Sequence, residues 1–187
     1  PIKSSAASDV YKRQSFDRCG HLASFISNLA QVIRIPEPTF SLISLNEQAR
    51  SVYSLTSIEC RQRNIELSLS LTDNDQYIHV DGIQFEQVLV NIIKNAYEAI
   101  GENGRIKIST HHSPLSIIIE DNGPGISEEA KQKLFTPFFT TKSSGQGIGL
   151  MFVREVLTNH RCRFSLSTEE GYTRFKIFFP TADGTYS

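Results

Sequence analysis

Two asparagines, Asn91 and Asn95, stand four residues apart in NIIKNAYEA. On a helix that spacing puts both amides on one face, one turn above the other. Asparagine is a mediocre helix former, so the pair costs some helix stability. An amide oxygen is a neutral hard ligand for Mg2+, which keeps most of its waters and takes its other ligands from substrate phosphates; capping of nearby backbone groups is the plainer alternative. Further on, DNGPGI runs from Asp121 to Ile126. Gly123 and Gly125 let backbone approach a flat ligand, and an ionised Asp121 can only accept hydrogen bonds. That suits the exocyclic amine of adenine and repels the carbonyl of guanine, although the same residues are ordinary turn formers. A third run, GQGIGL from Gly145 to Leu150, leads alternating glycines into a helix whose N-terminal amides would face an anion. Lys142, Ser143 and Ser144 precede it and can add a positive charge and hydroxyl donors to a phosphate tail. The Lys-Ser order is the reverse of a Walker A loop, and no strand leads into Gly145 as a dinucleotide fingerprint requires. A mobile glycine lid is what remains.

The elements that must hold these residues are readable from periodicity. Phe85, Val88, Leu89, Ile92, Ala96 and Ala99 recur at helical spacing and predict a helix over 84–100 carrying both asparagines. Strands are predicted over 105–110 and 115–120, the second with the continuous apolar run Ile117–Ile119 that delivers Asp121 from beneath a sheet. A helix over 45–63, alternation at Ile65, Leu67, Leu69 and Leu71, and a short strand over 77–80 come before. A helix over 148–160 and strands over 163–168 and 174–179 follow. Between 121 and 149 lies a glycine-rich, mostly irregular stretch, and loops of that length are usually functional. Near the N-terminus, Leu22, Phe25, Ile26, Leu29, Val32 and Ile33 mark one amphipathic helix ending before Pro36 and Pro38; its uncovered stripe wants a partner, which a second copy could supply.

Composition narrows the function. The 187 residues carry 19 Lys+Arg against 20 Asp+Glu, a formal net charge of -1, with 39% hydrophobic and 21% charged residues. This is a globular chain without the global basic field that nucleic acid binding needs, so phosphate must be bound locally and no nucleic acid partner is expected. No apolar run reaches the ~18 residues of a membrane span and no leader opens the sequence, so it is read as cytoplasmic, with a longer parent free to be membrane-attached. Cys19, Cys60 and Cys162 are odd in number and widely spaced, which argues against a disulfide framework or a zinc site.

The run from Gln87 to Leu150 resembles the catalytic, ATP-binding domain of bacterial sensor histidine kinases, within the gyrase, heat-shock chaperone, histidine kinase and mismatch-repair ATPase superfamily. Asn91 and Asn95 match the N box, Asp121, Gly123 and Gly125 the G1 box, Phe135 to Phe138 the F box, and Gly145, Gly147 and Gly149 the G2 box. The PFFTTK wording is similar to the nitrogen-regulation subtype. The resemblance implies an α+β fold of Bergerat type: a two-layer sandwich, a mixed sheet of about five strands with three helices on one face, preceded by one long helix. It implies ATP and Mg2+ as ligands, with Asp121 reading adenine, Asn95 holding the metal and Asn91 near the phosphates as the residues of the transfer step. Gly123, Gly125 and Ile126 would line the base, and Lys142 with Gly145, Gly147, Ile148, Gly149 and Leu150 the phosphate tail. Phe135 and Phe138 are expected to anchor the lid by packing.

ATP-hydrolysing relatives carry a glutamate where this chain has Asn91, and an amide cannot take a proton from water at neutral pH. Transfer to a side chain is therefore favoured over hydrolysis. Glu98 sits where some sensor kinases have a cation, with Lys94 and Lys142 to compensate. No histidine followed by an acidic and a basic residue occurs, and His21 in HLAS does not match the acceptor motif. The implied organisation is a non-native or disordered leader (1–14), the second helix of a dimerisation hairpin (15–35), a linker (36–44), the catalytic domain (45–181) and a tail (182–187), with the acceptor helix absent. The implied partners are a response-regulator receiver domain and, in the full-length parent, a second copy through the dimerisation helices. An anti-sigma-type serine kinase or ATPase of the same fold, or a non-catalytic nucleotide-sensing module, is the alternative. The family's His-Gly-Gly after the last helix is here His160, Arg161, Cys162, so that helix end is expected to be rebuilt.

Overall fold

The computed structural model describes residues 35–131, 133–136, 139–140 and 147–180. The leader, the amphipathic stretch before Pro36, the tail after 181, Phe138, Lys142 and Gly145 lie outside the described residues. In chain order the elements are β1 (Ser41–Ser44), α1 (Leu45–Gln62), β2 (Glu66–Ser70), β3 (Tyr77–Val80), α2 (Gly82–Ile100), β4 (Arg105–His112), β5 (Leu115–Asp121), the short α3 (Glu128–Lys131), α4 (Gly149–Asn159), β6 (Arg163–Glu169) and β7 (Tyr172–Phe178). Five strands form one mixed sheet in the order β2-β4-β5-β7-β6. The β2/β4 pair is parallel and the other three pairs are antiparallel. This is the expected α+β sandwich. The pair β1/β3 forms a separate two-stranded antiparallel sheet, so the end of the expected linker is a strand.

The sheet is apolar on one face only. Alternation sends Ile106, Ile108, Ile117, Ile119, Phe175 and Ile177 to one side, all buried. Against them pack Val52 of α1, Phe85, Leu89 and Ile93 of α2, and Val153, Val156 and Leu157 of α4, also buried. The opposite face carries Lys107, Glu120, Arg174 and Lys176; there Glu120 accepts a charge-assisted hydrogen bond from Arg174, its cross-strand partner. Cys60 and Cys162 are buried free thiols, and burial pushes the Cys162 thiol up to about 12, so it stays protonated.

Local chemistry fixes where the helices begin and end. At α1, Ser44 accepts from the Glu47 amide at 2.9 Å, in the S-x-x-E spacing of a capping box. At α2, Asp81 accepts from the amides of Ile83 and Gln84, both at 3.0 Å. At the end of α4, Arg161 takes φ +54°, while Arg161 N–H donates to Thr158 O at 3.0 Å and Cys162 N–H to Leu157 O at 2.9 Å. This is the Schellman arrangement that a glycine normally supports. The left-handed cap is therefore retained with a Cβ in it, and the helix end is not rebuilt.

Two further features give predictions of stability. The β6/β7 hairpin turns through Glu170 and Gly171 at φ +53° and +78°, a two-residue loop with both residues left-handed that favours Asn-Gly. Glu170→Asn is expected to raise stability by about 0.5–1 kcal/mol, read from urea unfolding. His160, 3% exposed, donates from Nδ1 to Val156 O at 2.7 Å and accepts at Nε2 from the Asp81 amide at 2.9 Å. Both ring nitrogens are used by the neutral form, and the ring ties the end of α4 to the start of α2. Burial lowers the His160 pKa, opposed by its bond to Val156 and by the Asp81 charge. Below the ordinary histidine value of about 6.5 the unfolded chain takes up the proton first, so stability is full above that pH and falls as pH drops toward the folded value. Thermal midpoints should decline on acidification from neutral pH, and His160→Gln should flatten that decline while lowering the midpoint at neutral pH.

Candidate functional site

Asp121 is the last residue of β5, paired with Ile106 on one side and Thr173 on the other. Strand alternation places it on the same face as Ile117 and Ile119, under the helices, where it is 7% exposed. Its Oδ1 accepts from the Gly123 amide at 2.8 Å. Burial pushes its carboxyl above the ordinary aspartate range; the Gly123 hydrogen bond opposes this and the Glu120 charge adds to it. A Cβ at Gly123 would stand 2.8 Å from that same oxygen, so glycine there leaves the carboxylate approachable. Gly125 has φ +81° and packs on Thr168, whose hydroxyl accepts from the Ile126 amide at 3.0 Å. The loop after β5 is thus held down by a threonine from β6. Thr168 and its cross-strand partner Thr173 were not singled out from sequence, because threonine is common on strands and only the β5-β7-β6 order brings Thr173 beside the acid and Thr168 to the loop that follows it.

On α2, Asn91 and Asn95 are both half-buried. Asn91 Nδ2 donates back to Gln87 O at 2.9 Å, which leaves its Oδ1 as the outward acceptor. Among the described residues Asn95 has no side-chain hydrogen bond, so its half-buried amide is open to water or to a ligand. A Cβ at Gly149 would lie 3.3 Å from Asn91 Oδ1 and 4.0 Å from Asn95 Nδ2. The first residue of α4 therefore sits directly against both amides. The α4 N-terminus has Ile148 as its N-cap and no side-chain capping bond, so its first amides are left for an anion. Gly147, at φ +66°, leads into it and Ile148 is buried, while Leu150 is half-buried.

The structure thus brings Asn91, Asn95 and Gly149 together and buries Asp121 at a strand end with Gly123, Gly125 and Ile126 around it. Phe135 packs edge-on against Phe164 at 5.5 Å between ring centres, fastening the segment before the lid to β6. Glu98 lies 3.9 Å from Lys94 one turn away, which offsets the acidic charge on that helix face. The residues fit a nucleotide and a divalent cation: a buried acceptor for an amine, a neutral amide without a side-chain partner among the described residues, and helix amides with no side-chain cap.

The model of the histidine kinase-, DNA gyrase B- and HSP90-like ATPase domain matches residues 80–183. The sensor histidine kinase ZraS of Escherichia coli (strain K12) is 29% identical over 83% of this chain and 34% of its own length. The signal transduction histidine-protein kinase AtoS of the same strain is 32% identical over 83% of this chain and 26% of its own. The chain therefore spans about a third or less of these relatives. Among solved structures, a nucleotide-free form of the catalytic domain of histidine kinase ThkA superposes with a TM-score of 0.70 at 35% identity, covering 76% of this chain and 95% of that one. ThkA in complex with the response regulator protein TrrA gives a TM-score of 0.75 at 26% identity, covering 99% and 54%. With a family model that spans more than half its length, the chain belongs to the histidine kinase-, DNA gyrase B- and HSP90-like ATPases.

Proposed function

We propose that this chain is the ATP-binding catalytic part of a two-component sensor histidine kinase, moving the ATP γ-phosphate to a histidine on a dimerisation helix supplied by another segment. Membership of an ATPase family carries ATP binding; the observation that carries the rest is a buried Asp121 on the same sheet-and-helix layer as an Asn91–Asn95 pair closed by Gly149. Asp121 accepts the adenine amine, with Gly123, Gly125 and Ile126 shaping the base site. Asn95 supplies an amide oxygen to Mg2+, and Asn91 lies beside it toward the phosphates. Lys142 and the amides of Gly145, Gly147, Ile148, Gly149 and Leu150 hold the phosphate tail. When bound, the metal neutralises phosphate charge. Positioning and charge stabilisation suffice for phosphoryl transfer, and no carboxylate stands at Asn91 to activate water, so transfer is favoured over hydrolysis.

In this reading residues 45–181 form the catalytic domain, residues 15–35 the second helix of a dimerisation hairpin that pairs with its copy, and the phosphohistidine then serves a receiver domain. The complex of ThkA with a response regulator supports such a partner. No described helix is long and apolar enough to cross a membrane. The test is to mix the chain with a separately made dimerisation hairpin bearing a histidine and follow labelled γ-phosphate. Acid-labile label on the hairpin is the expected result; label on serine or release of free phosphate overturns it.

A further inference from the structure

The loop after Asp121 is anchored at both ends, on different strands. At its start Asp121 Oδ1 accepts from the Gly123 amide at 2.8 Å; at its far end the Ile126 amide donates to Thr168 Oγ1 at 3.0 Å. Asp121 stands opposite Thr173, and Thr173 opposite Thr168. Opposed residues share a face, so all three line the helix side of the sheet, and the anchors are two strand spacings apart, roughly 10 Å. Gly123, Pro124 and Gly125 bridge that span.

Threonine suits the far anchor in both of its branches. Branching at Cβ restricts its rotamers on a strand, so a hydroxyl aimed at the loop stays aimed. The methyl is used as well: a Cβ at Gly125 would fall 2.8 Å from Thr168 Cγ2, so the loop backbone rests directly on it. Thr168 Oγ1 also lies 3.4 Å from Oγ1 of Thr173, the residue paired with the acid. Just past Ile126 the chain enters α3, where Ser127 Oγ accepts from the Ala130 amide at 3.2 Å. Phe135 then packs on Phe164 of the strand that carries Thr168. Thus β6 grips the chain at both Thr168 and Phe164 between the base loop and the glycine run.

We propose that Thr168 is a positioning residue for the nucleotide: its hydroxyl fixes the far end of the Asp121–Ile126 loop, and with it the wall against which an adenine lies. The inference rests on the reading of Asp121 as the adenine acceptor and names what preorganises that site. A loop fastened only at Asp121 has to be ordered by the nucleotide at the moment of binding, and that ordering is subtracted from affinity. With Thr168 in place the folded sheet has already met that cost, and the base wall is set independently of the chain beyond Ile126.

Thr168→Val keeps the shape and the methyl against Gly125 but offers the Ile126 amide no acceptor; Thr168→Ser keeps the acceptor and drops the methyl. The whole chain is titrated calorimetrically with ATP and with ADP, each with and without Mg2+. The Val variant should bind roughly three- to tenfold more weakly, by one common factor in every titration, because the change acts at the base end. The Ser variant should bind within about twofold of the parent. Hydrogen exchange followed by nuclear magnetic resonance should show the Ile126 amide proton exchanging faster in the Val variant than in the parent or the Ser variant, with the nucleotide-free melting temperature close to that of the parent. Unchanged affinity in the Val variant, a loss confined to the titrations with Mg2+, or a Ser variant as weak as the Val one overturns the proposal. Asp121→Asn separates it from the reading on which it rests. If that variant loses ADP while Thr168→Val does not, only the role of Thr168 falls; if Asp121→Asn binds ADP like the parent, the adenine site falls and the proposal with it.

Discussion

Asp121→Asn should weaken ATP binding roughly 10- to 150-fold, the cost of one charge-assisted hydrogen bond, while leaving the empty domain at least as stable as before. The two halves of that expectation have one cause. Burial raises the Asp121 carboxyl in the folded chain; as pH rises through the unfolded value of about 3.9, the unfolded chain ionises first and the fold loses stability up to the raised folded value. At neutral pH the ionised acid therefore costs the empty domain free energy, which the amide of asparagine avoids while still accepting from the Gly123 amide. Isothermal titration with ATP, paired with urea unfolding without it, measures both. Unchanged affinity would remove the adenine assignment. Affinity in the parent should also fall on acidification as Asp121 takes up its proton.

Asn95→Ala should cut phosphoryl transfer roughly 100- to 1,000-fold, the effect of removing one group that stabilises charge in such a reaction. Its effect on the fold runs the other way. Asn95 has no side-chain partner among the described residues, and alanine is the better helix former by about 0.7 kcal/mol or less, so the melting temperature should hold or rise. The decisive measurement is ATP affinity with and without Mg2+: the metal-dependent gain should vanish in the variant while metal-free affinity stays. A variant that lost both equally would place Asn95 in packing instead.

The parts of the molecule that were legible in sequence are those governed by near neighbours. The period of Phe85, Val88, Leu89 and Ile92 sets the face of α2, and therefore the direction of Asn91 and Asn95. The run Ile117–Ile119 marks a buried strand, and two-residue alternation then carries Asp121 to the core side. What was not legible depends on partners far along the chain. Ser41–Ser44 is a strand because Tyr77–Val80 lies against it; its four residues carry no pattern long enough to read. Thr173 comes beside Asp121, and Thr168 against Gly125 and Ile126, through strand order alone. The start of β7 at Tyr172 instead of Arg174 follows from the two left-handed residues of its turn, a conformation glutamate seldom announces. Arg161 is the reverse case: the sequence put a Cβ where one is disfavoured, and the hydrogen bonds of the helix end hold the backbone there regardless.

The bond from the Asp81 amide to His160 joins residues 79 apart. On a ribosome adding about 5–20 residues per second, the start of α2 waits roughly 4–16 s for its clasp to be made. Within that interval β4 and β5 are made after β2, and Ile106, Ile108, Ile117 and Ile119 are left half-covered until α4, and after His160 β7, follow them. Long-range pairing of this kind slows closure of a fold. Nascent chains of this protein are accordingly expected to be clients of a holding chaperone until β7 has cleared the exit tunnel.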